Sequence, residues 1–401
     1  MTARPSPGRH HCQRDEPADA PDNRVNGHRD PTIRGKPQGL VRCGRHLLWP
    51  ARGRRGSPGP GGLRGARPCD RRLRGRPSGR DGRHLHLRPQ HSRQPDAGGG
   101  RHDGAILWAS EATIYGRFGY GLATFKASIE IERARAGFRE QHIPRGTFRL
   151  LEPDEATAAC RPIYDRHMSM RVGSFSRNDG WWRAEFAHDP ERWRRGGGPA
   201  FFLVHETDGA ADAYARYRIH SEWDDRGPKG SVDVQEAIAL NPIAERELWA
   251  YLFSVDLSAK TRAFNVPVDW GMRFMLSEPR RLGMTIGDAV WLRIVDLPAA
   301  LERRSYAGND RLILEVKDAF CPWNAGRWQL EVAPDGPRVT RTDSDPDLIL
   351  EAGDLGSTYL GGVSLAELAL AGRVEECTPG AVGRADALLR TPLAPWCPAV
   401  F

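Results

Sequence analysis

A mixed α+β chain behind a disordered arm is what this sequence predicts, and three observations carry the prediction. First, the composition breaks near residue 100. Residues 1–100 hold 22 Lys and Arg against 8 Asp and Glu, a net of +14, with one Ile (Ile33), one Trp (Trp49) and no Phe or Tyr. The rest of the chain holds 37 against 43, a net of −6, so the overall +8 belongs to the arm alone. Second, from Ala105 onward short apolar runs of strand length are followed by cap signals and stretches with helical spacing. Third, turn pairs such as Asp208-Gly209 and Asp335-Gly336 separate strand-like runs, so hairpins accompany the helices.

The arm cannot bury enough apolar surface to offset its ordering entropy, so disorder is expected over 1–104. A nucleic-acid-binding arm would interleave aromatic residues for stacking, which this one lacks, and no nucleic-acid partner is expected. Its Arg/Gly/Pro/His/Asp mixture is also what GC-rich DNA yields in the wrong frame, and an out-of-frame segment is the reading that fits best. Seven cysteines show neither a CxxC pair nor metal-ligand spacing, which predicts reduced thiols and no metal. With no apolar run of about eighteen residues and no N-terminal apolar segment, neither a membrane span nor a secretory signal is expected, and the cytoplasm is the expected location.

Ala105 to Ala109 reads as a buried strand. Ser110 stands where an N-cap should, and the helix behind it can run about two turns before Gly116 and Gly119 weaken it. A strand region over Leu122 to Glu132 follows, its second half alternating apolar with polar residues, and Arg133 to Gly146 is a charged connector.

A fresh unit starts at Phe148 to Leu151. Helices are expected over Glu155 to Met170 and around Trp181 to Phe186, a hairpin over Phe201 to His220, and a strand over Val232 to Leu240. Asn241-Pro242 opens a helix to about Val255, and Arg262 to Val266 is a strand. The aromatic cluster Phe175, Trp181, Trp182, Phe186 and Trp193 admits a cation cage or ordinary core packing, and packing is the stronger expectation.

A third unit starts at Ala289 to Leu297. Pro298 marks a helix start, and Arg311 to Val316, Gly326 to Val332 and Arg338 to Thr342 are strands. Ser364 caps a helix from Leu365 that Gly372 ends. The tail Pro395-Trp396-Cys397-Pro398-Ala399-Val400-Phe401 is apolar and expected to be docked.

Tyr115, Gly119 and Tyr120 form Tyr-x-x-x-Gly-aromatic between two strands, which resembles the end of the catalytic core of GCN5-related N-acetyltransferases (GNAT). The longer string from Ser110 through Tyr115 and Gly119 to Gly121 is similar to the Eis-type (enhanced intracellular survival) branch. So is Leu355-Gly356-Ser357-Thr358-Tyr359-Leu360-Gly361-Gly362 with Gly372-Arg373-Val374 and Pro379-Gly380-Ala381. The resemblance covers 105–401 and implies tandem acetyltransferase-like domains followed by a sterol-carrier-protein-like domain. The units are then 105–146, the remainder of the cofactor domain; 147–288, a second acetyltransferase-like domain without cofactor; and 289–401, the sterol-carrier-like domain. An unrelated α+β domain is the alternative for 147–288.

The resemblance further implies acetyl-CoA as co-substrate, a cationic amine as acceptor and a homo-oligomer, hexameric in the family. Tyr115 becomes the general acid for the CoA sulfur, and the free carboxylate of Phe401 the general base. Backbone donors at Ser110 and Glu111, at a helix start, suit an oxyanion or a CoA contact. A packed core tyrosine is the plainer reading of Tyr115. The chain departs from the family before Ala105, where a pyrophosphate loop belongs. As written, Leu87 to Gln94 lacks its glycine spacing. One base forward, degenerate codons for His91 to Ala97 permit Thr-Arg-Gly-Ser-Leu-Thr-Arg, which resembles that loop. A catalytically impaired remnant of the family, and a lipid-binding protein using the last domain, are the competing functions.

Overall fold

The computed structural model of the protein describes residues 103–401 and the backbone of Leu87–Pro89. The arm expected over 1–104, its out-of-frame reading and residues 90–94 lie outside the described residues apart from those positions.

In chain order, strand β1 is Leu87–Pro89 and β2 is Gly104–Trp108. Helix α1, Ala112–Tyr115, tightens into a 3₁₀ turn over Gly116–Phe118. Strands β3 (Gly121–Leu122), β4 (Phe125–Glu132) and β5 (Thr147–Leu151) precede helix α2 (Pro153–Met170). Helix α3 (Asp179–Trp181) runs into a π-turn over Trp182–Ala187. Then come β6 (Phe201–Thr207), β7 (Ala210–His220), the short pair β8 (Trp223–Asp224) and β9 (Gly227–Pro228), and β10 (Ser231–Ala239). Helix α4 (Pro242–Ser254), β11 (Lys260–Val266), α5 (Met272–Met275) and β12 (Thr285–Asp288) follow.

The last third holds β13 (Val290–Ile294), α6 (Leu297–Arg303), β14 (Asp310–Lys317), β15 (Gly326–Ala333) and β16 (Gly336–Arg341). It ends with β17 (Leu348–Glu351), α7 (Ala352–Thr358), α8 (Leu365–Leu370), β18 (Val374–Glu376) and α9 (Ala381–Leu389).

Three larger sheets organise these elements. The first runs β1-β2-β13-β3, with β1 parallel to β2. The second runs β12-β4-β11-β10-β7-β6-β5, and the third β16-β15-β14-β17-β18. The sheets do not follow the three sequence units. Strand β4 pairs with β11, Ile129 opposite Ala263 and Ile131 opposite Thr261, so it completes the sheet built mainly from residues 147–288. In return β13 pairs with β2 and β3, Leu292 lying opposite both Ile106 and Gly121.

Burial explains the exchange. Ala127, Ile129 and Ile131 of β4 pack in a core with Leu248, Trp249 and Leu252 of α4, while Glu130 and Glu132 face solvent. Val290, Leu292 and Ile294 of β13 belong instead to the core that joins Ile106 to Leu312, Leu350 and Leu355.

Helix α7 sits where close approach requires glycine. A Cβ on Gly121 would lie 1.8 Å from the Gly353 carbonyl oxygen, and one on Gly356 would lie 2.5 Å from that of Leu292. The glycines that weaken α7 as an isolated helix are those that seat it on β3 and β13. Cys160, Cys321, Cys377 and Cys397 are free thiols. No helix among the described residues is long and apolar enough to cross a membrane, and none of their His, Cys, Asp and Glu side chains form a group of three placed to hold a metal ion.

Candidate active site

Strand β2 carries the candidate site. Ile106 and Leu107 are buried, which fixes the strand and delivers Trp108, Ala109 and Ser110 to its end. The helix begins one residue later than the sequence indicated. Glu111, extended at φ −144°, is the N-cap, so Ser110 does not cap. Neither residue is pinned by a side-chain cap bond, and both are exposed at the mouth of the turn. Tyr115 is half-buried one helical turn on, its ring edge-on to Tyr120 with centroids 6.0 Å apart. Gly119 closes the turn at φ +76°, its N–H donating to the Gly116 carbonyl at 2.9 Å.

A buried ion pair props this turn from below. Arg293, from β13, donates through Nη2 to both carboxylate oxygens of Asp318 at 2.7 and 2.6 Å, and through Nη1 to the Gly119 carbonyl at 3.3 Å. Asp318 also accepts from the Cys321 N–H at 2.8 Å and from Asn324 Nδ2 at 3.2 Å. Both side chains of the pair are almost fully buried. A Cβ on Gly119 would lie 2.3 Å from Arg293 Nη1. Burial pushes the Tyr120 phenol up, and the Arg293 cation opposes that shift. Sequence reasoning missed Arg293 and Asp318, because only the return of β13 to the first sheet brings them under the turn.

The C-terminal tail reaches the same core, as expected. Trp396, Cys397 and Ala399 are buried, and burial pushes the Cys397 thiol up to about 12. The Phe401 ring packs edge-on against Phe175 at 5.1 Å. It lies against the apolar cluster that contains Ile106 of β2, where Trp108 also packs. Ser110, Glu111 and Tyr115 thus share one turn. Phe401 packs on the cluster that holds Ile106 and Trp108, which precede the turn, while the ring partner of Tyr115 is Tyr120.

The aromatic cluster resolves into core packing. Its cation is internal: the Arg177 guanidinium lies 3.7 Å from the Tyr164 ring centroid and 3.8 Å from that of Trp181. Arg177 also forms a fork with Glu236 at 2.9 and 2.6 Å, and the Tyr214 hydroxyl donates to the same carboxylate. Trp182 and Phe186 are fully buried beside it, whereas Trp193 packs separately on His188.

Comparison with known proteins agrees with this architecture. Residues 173–294 match the acetyltransferase (GNAT) domain family, and residues 297–398 match the sterol carrier protein domain family. Ser110, Glu111, Tyr115 and Phe401 lie outside both matched segments. An uncharacterized N-acetyltransferase of Streptomyces avermitilis is 40% identical over 301 residues, 74% of this chain and 73% of the relative. The N-acetyltransferase Eis of Mycobacterium tuberculosis is 32% identical over 291 residues, 71% of this chain and 68% of Eis. The crystal structure of Eis1 from Mycobacterium abscessus superposes with a TM-score of 0.62 at 33% identity, covering 75% of this chain and 74% of that one.

Proposed function

The chain belongs to the Eis-type family of GCN5-related N-acetyltransferases, and from that premise we propose that it moves an acetyl group from acetyl-CoA to an amine of a cationic substrate, with Tyr115 as general acid and the terminal carboxylate of Phe401 as general base. The observation that carries the reading is the docking of the chain end on the core that anchors β2, the strand leading into the Tyr115 turn.

Ser110 and Glu111 would hold the acetyl-CoA. They are exposed at the start of α1, where the first N–H groups of a helix lack intrahelical partners. The donor supplies an acyl group on a thioester. An attacking amine must be neutral, so its proton has to go to a base, and a carboxylate at the chain end provides one. The Phe401 ring packs on Phe175 and on the cluster that contains Ile106, which docks the end of the chain that carries this carboxylate. A phenol can deliver its proton to a departing thiolate, which needs one as it leaves. Tyr115 is half-buried in the turn.

The mildly acidic body of the chain favours a cationic acceptor by long-range attraction. Cytoplasmic location and homo-oligomeric assembly complete the proposal. A cavity in the core of the last domain, lined by Leu301, Leu312, Leu330 and Leu350 among others, is about 10 Å³.

Thermal stabilisation by acetyl-CoA, together with release of CoA thiol on adding a di- or triamine, tests the proposal in the full chain. Absence of both would leave the impaired-remnant reading in its place.

A further inference from the structure

The tail is gripped over Ala394 to Cys397 by residues from two distant segments. Arg171 Nη1 donates to both Asp269 Oδ1 and the Ala394 carbonyl at 2.7 Å, and Asp269 Oδ2 accepts from the Ala394 N–H at 2.9 Å. The Val172 carbonyl accepts from the Trp396 N–H at 2.9 Å, and Ser174 Oγ donates to the Trp396 carbonyl at 3.3 Å. Asn265 uses both ends of its amide. Oδ1 accepts from Trp396 Nε1 at 2.7 Å, and Nδ2 donates to the Cys397 carbonyl at 2.8 Å. Asn265, Trp396 and Cys397 are all buried. Gly173 adopts φ +107°, and a Cβ there would meet the Trp396 nitrogen at 2.7 Å, so the tail occupies the space a side chain would fill.

We propose that Asn265 and the Arg171–Asp269 pair are positioning residues that set where the Phe401 carboxylate comes to rest. The inference builds on the reading of that carboxylate as general base. Past the grip the chain has only the four residues 398–401, a reach of about 13 Å at most. Without the grip the last regular anchor is the end of α9 at Leu389, twelve residues back, and the reach grows to about 40 Å. The apolar contact of Phe401 with Phe175 then has to find its place from a far larger volume, and the effective concentration of the carboxylate at the Tyr115 turn falls. Asn265 is the more consequential of the two sites, because it holds the residue nearest the terminus and its partners have no route to water.

The test follows the chain end directly. The full chain and its Asn265→Ala and Arg171→Met variants would be treated, folded, with carboxypeptidase A. Released phenylalanine would be measured alongside the melting temperature. The second variant keeps the side-chain stem and guards against a folding failure of the first. Release at least tenfold faster from both variants, with cooperative melting retained, is the expected result. Release at the wild-type rate overturns the positioning role and leaves the base role of Phe401 intact.

CoA-thiol release with a triamine acceptor separates the two ideas further. A loss of about 1 Å in placement costs on the order of a hundredfold in rate, so kcat should fall by about that factor while KM for acetyl-CoA holds. A freed tail with unchanged kcat would overturn the base role of Phe401 and its positioning, leaving the grip as an anchor of the chain end alone.

Discussion

Removing Asp318 should weaken the whole molecule and loosen the Tyr115 turn together. Its carboxylate is the sole carboxylate partner among the described residues for Arg293, and both side chains are almost fully buried. Asp318→Ala leaves the guanidinium uncompensated in the interior and strips acceptors from the Cys321 N–H and Asn324 Nδ2. Breaking a buried pair from one side costs about 3–5 kcal/mol. That is a large share of the roughly 5–15 kcal/mol by which folded domains are stable. With a urea slope near the upper end of about 1–3 kcal/mol/M, the unfolding midpoint should fall by roughly 1–2 M. Urea titration followed by tryptophan fluorescence reads this directly. Replacing both partners, Arg293→Met with Asp318→Leu, removes the stranded charge and should recover most of the loss. A midpoint for Asp318→Ala within about 0.3 M of wild type would refute the reasoning, since the pair would then contribute no more than an exposed one.

Tyr115→Phe should lower kcat by about 10²–10⁴ with little change in acetyl-CoA binding, and an unchanged kcat in a thiol-release assay would return Tyr115 to a packing role. Adding residues after Phe401 turns its carboxylate into an amide. Deleting Phe401 moves the carboxylate to Val400. Both forms should lose most activity while melting nearly as before, and full kcat in the extended form would mean that an acidic side chain is the base. His167 stands edge-on to Trp396, and burial, reinforced by Arg171, lowers its pKa to about 4 against an ordinary value near 6.5. The folded state therefore holds fewer protons than the unfolded one between those values, so stability declines as pH falls from about 6.5 to about 4. His167→Asn should flatten that decline in urea midpoints taken between pH 5 and 6.5, and an identical pH slope would show that another group titrates there.

Most local elements could be read from the sequence because their signals are local. Asn241 caps α4 by accepting from the Ile243 and Ala244 N–H groups at 3.0 and 2.9 Å, and Ser364 forms a capping box with Glu367 at the head of α8. Glu130 and Glu132 alternate outward against Ile129 and Ile131, as period-two patterning requires. The turn around Tyr115 was readable through its glycines. What escaped were features with no local signature. Helix α7 contains Gly353 and Gly356, which argue against a helix until their backbone approach to Tyr120 and Leu292 is known. Helix α9 starts behind Gly380 at φ +85° with no polar cap. The exchange of β4 and β13 between sheets depends on which core each apolar face joins, and alternation within a strand carries no address.

That exchange has a consequence for how the candidate site is held. The Tyr115 turn lies between β2 and β3, and both are joined to β13 rather than to each other. Arg293, on β13, reaches down to Asp318 beyond the end of β14 and up to Gly119. Above β13 and β3 lies α7, whose glycines admit backbone contact with Gly121 and Leu292. The turn is thus clamped by a strand that follows the entire second sheet in the sequence, and by a helix from the sterol-carrier-like domain. Tail residues that would bring the carboxylate are gripped in turn by Arg171, Asn265 and Asp269, contributed by the middle of the chain. The Tyr115 turn and the chain end are therefore each held by segments far away in sequence. The segment matched to the sterol carrier domain thus supplies Asp318, α7 and the tail, three of the parts that hold the Tyr115 turn and the chain end.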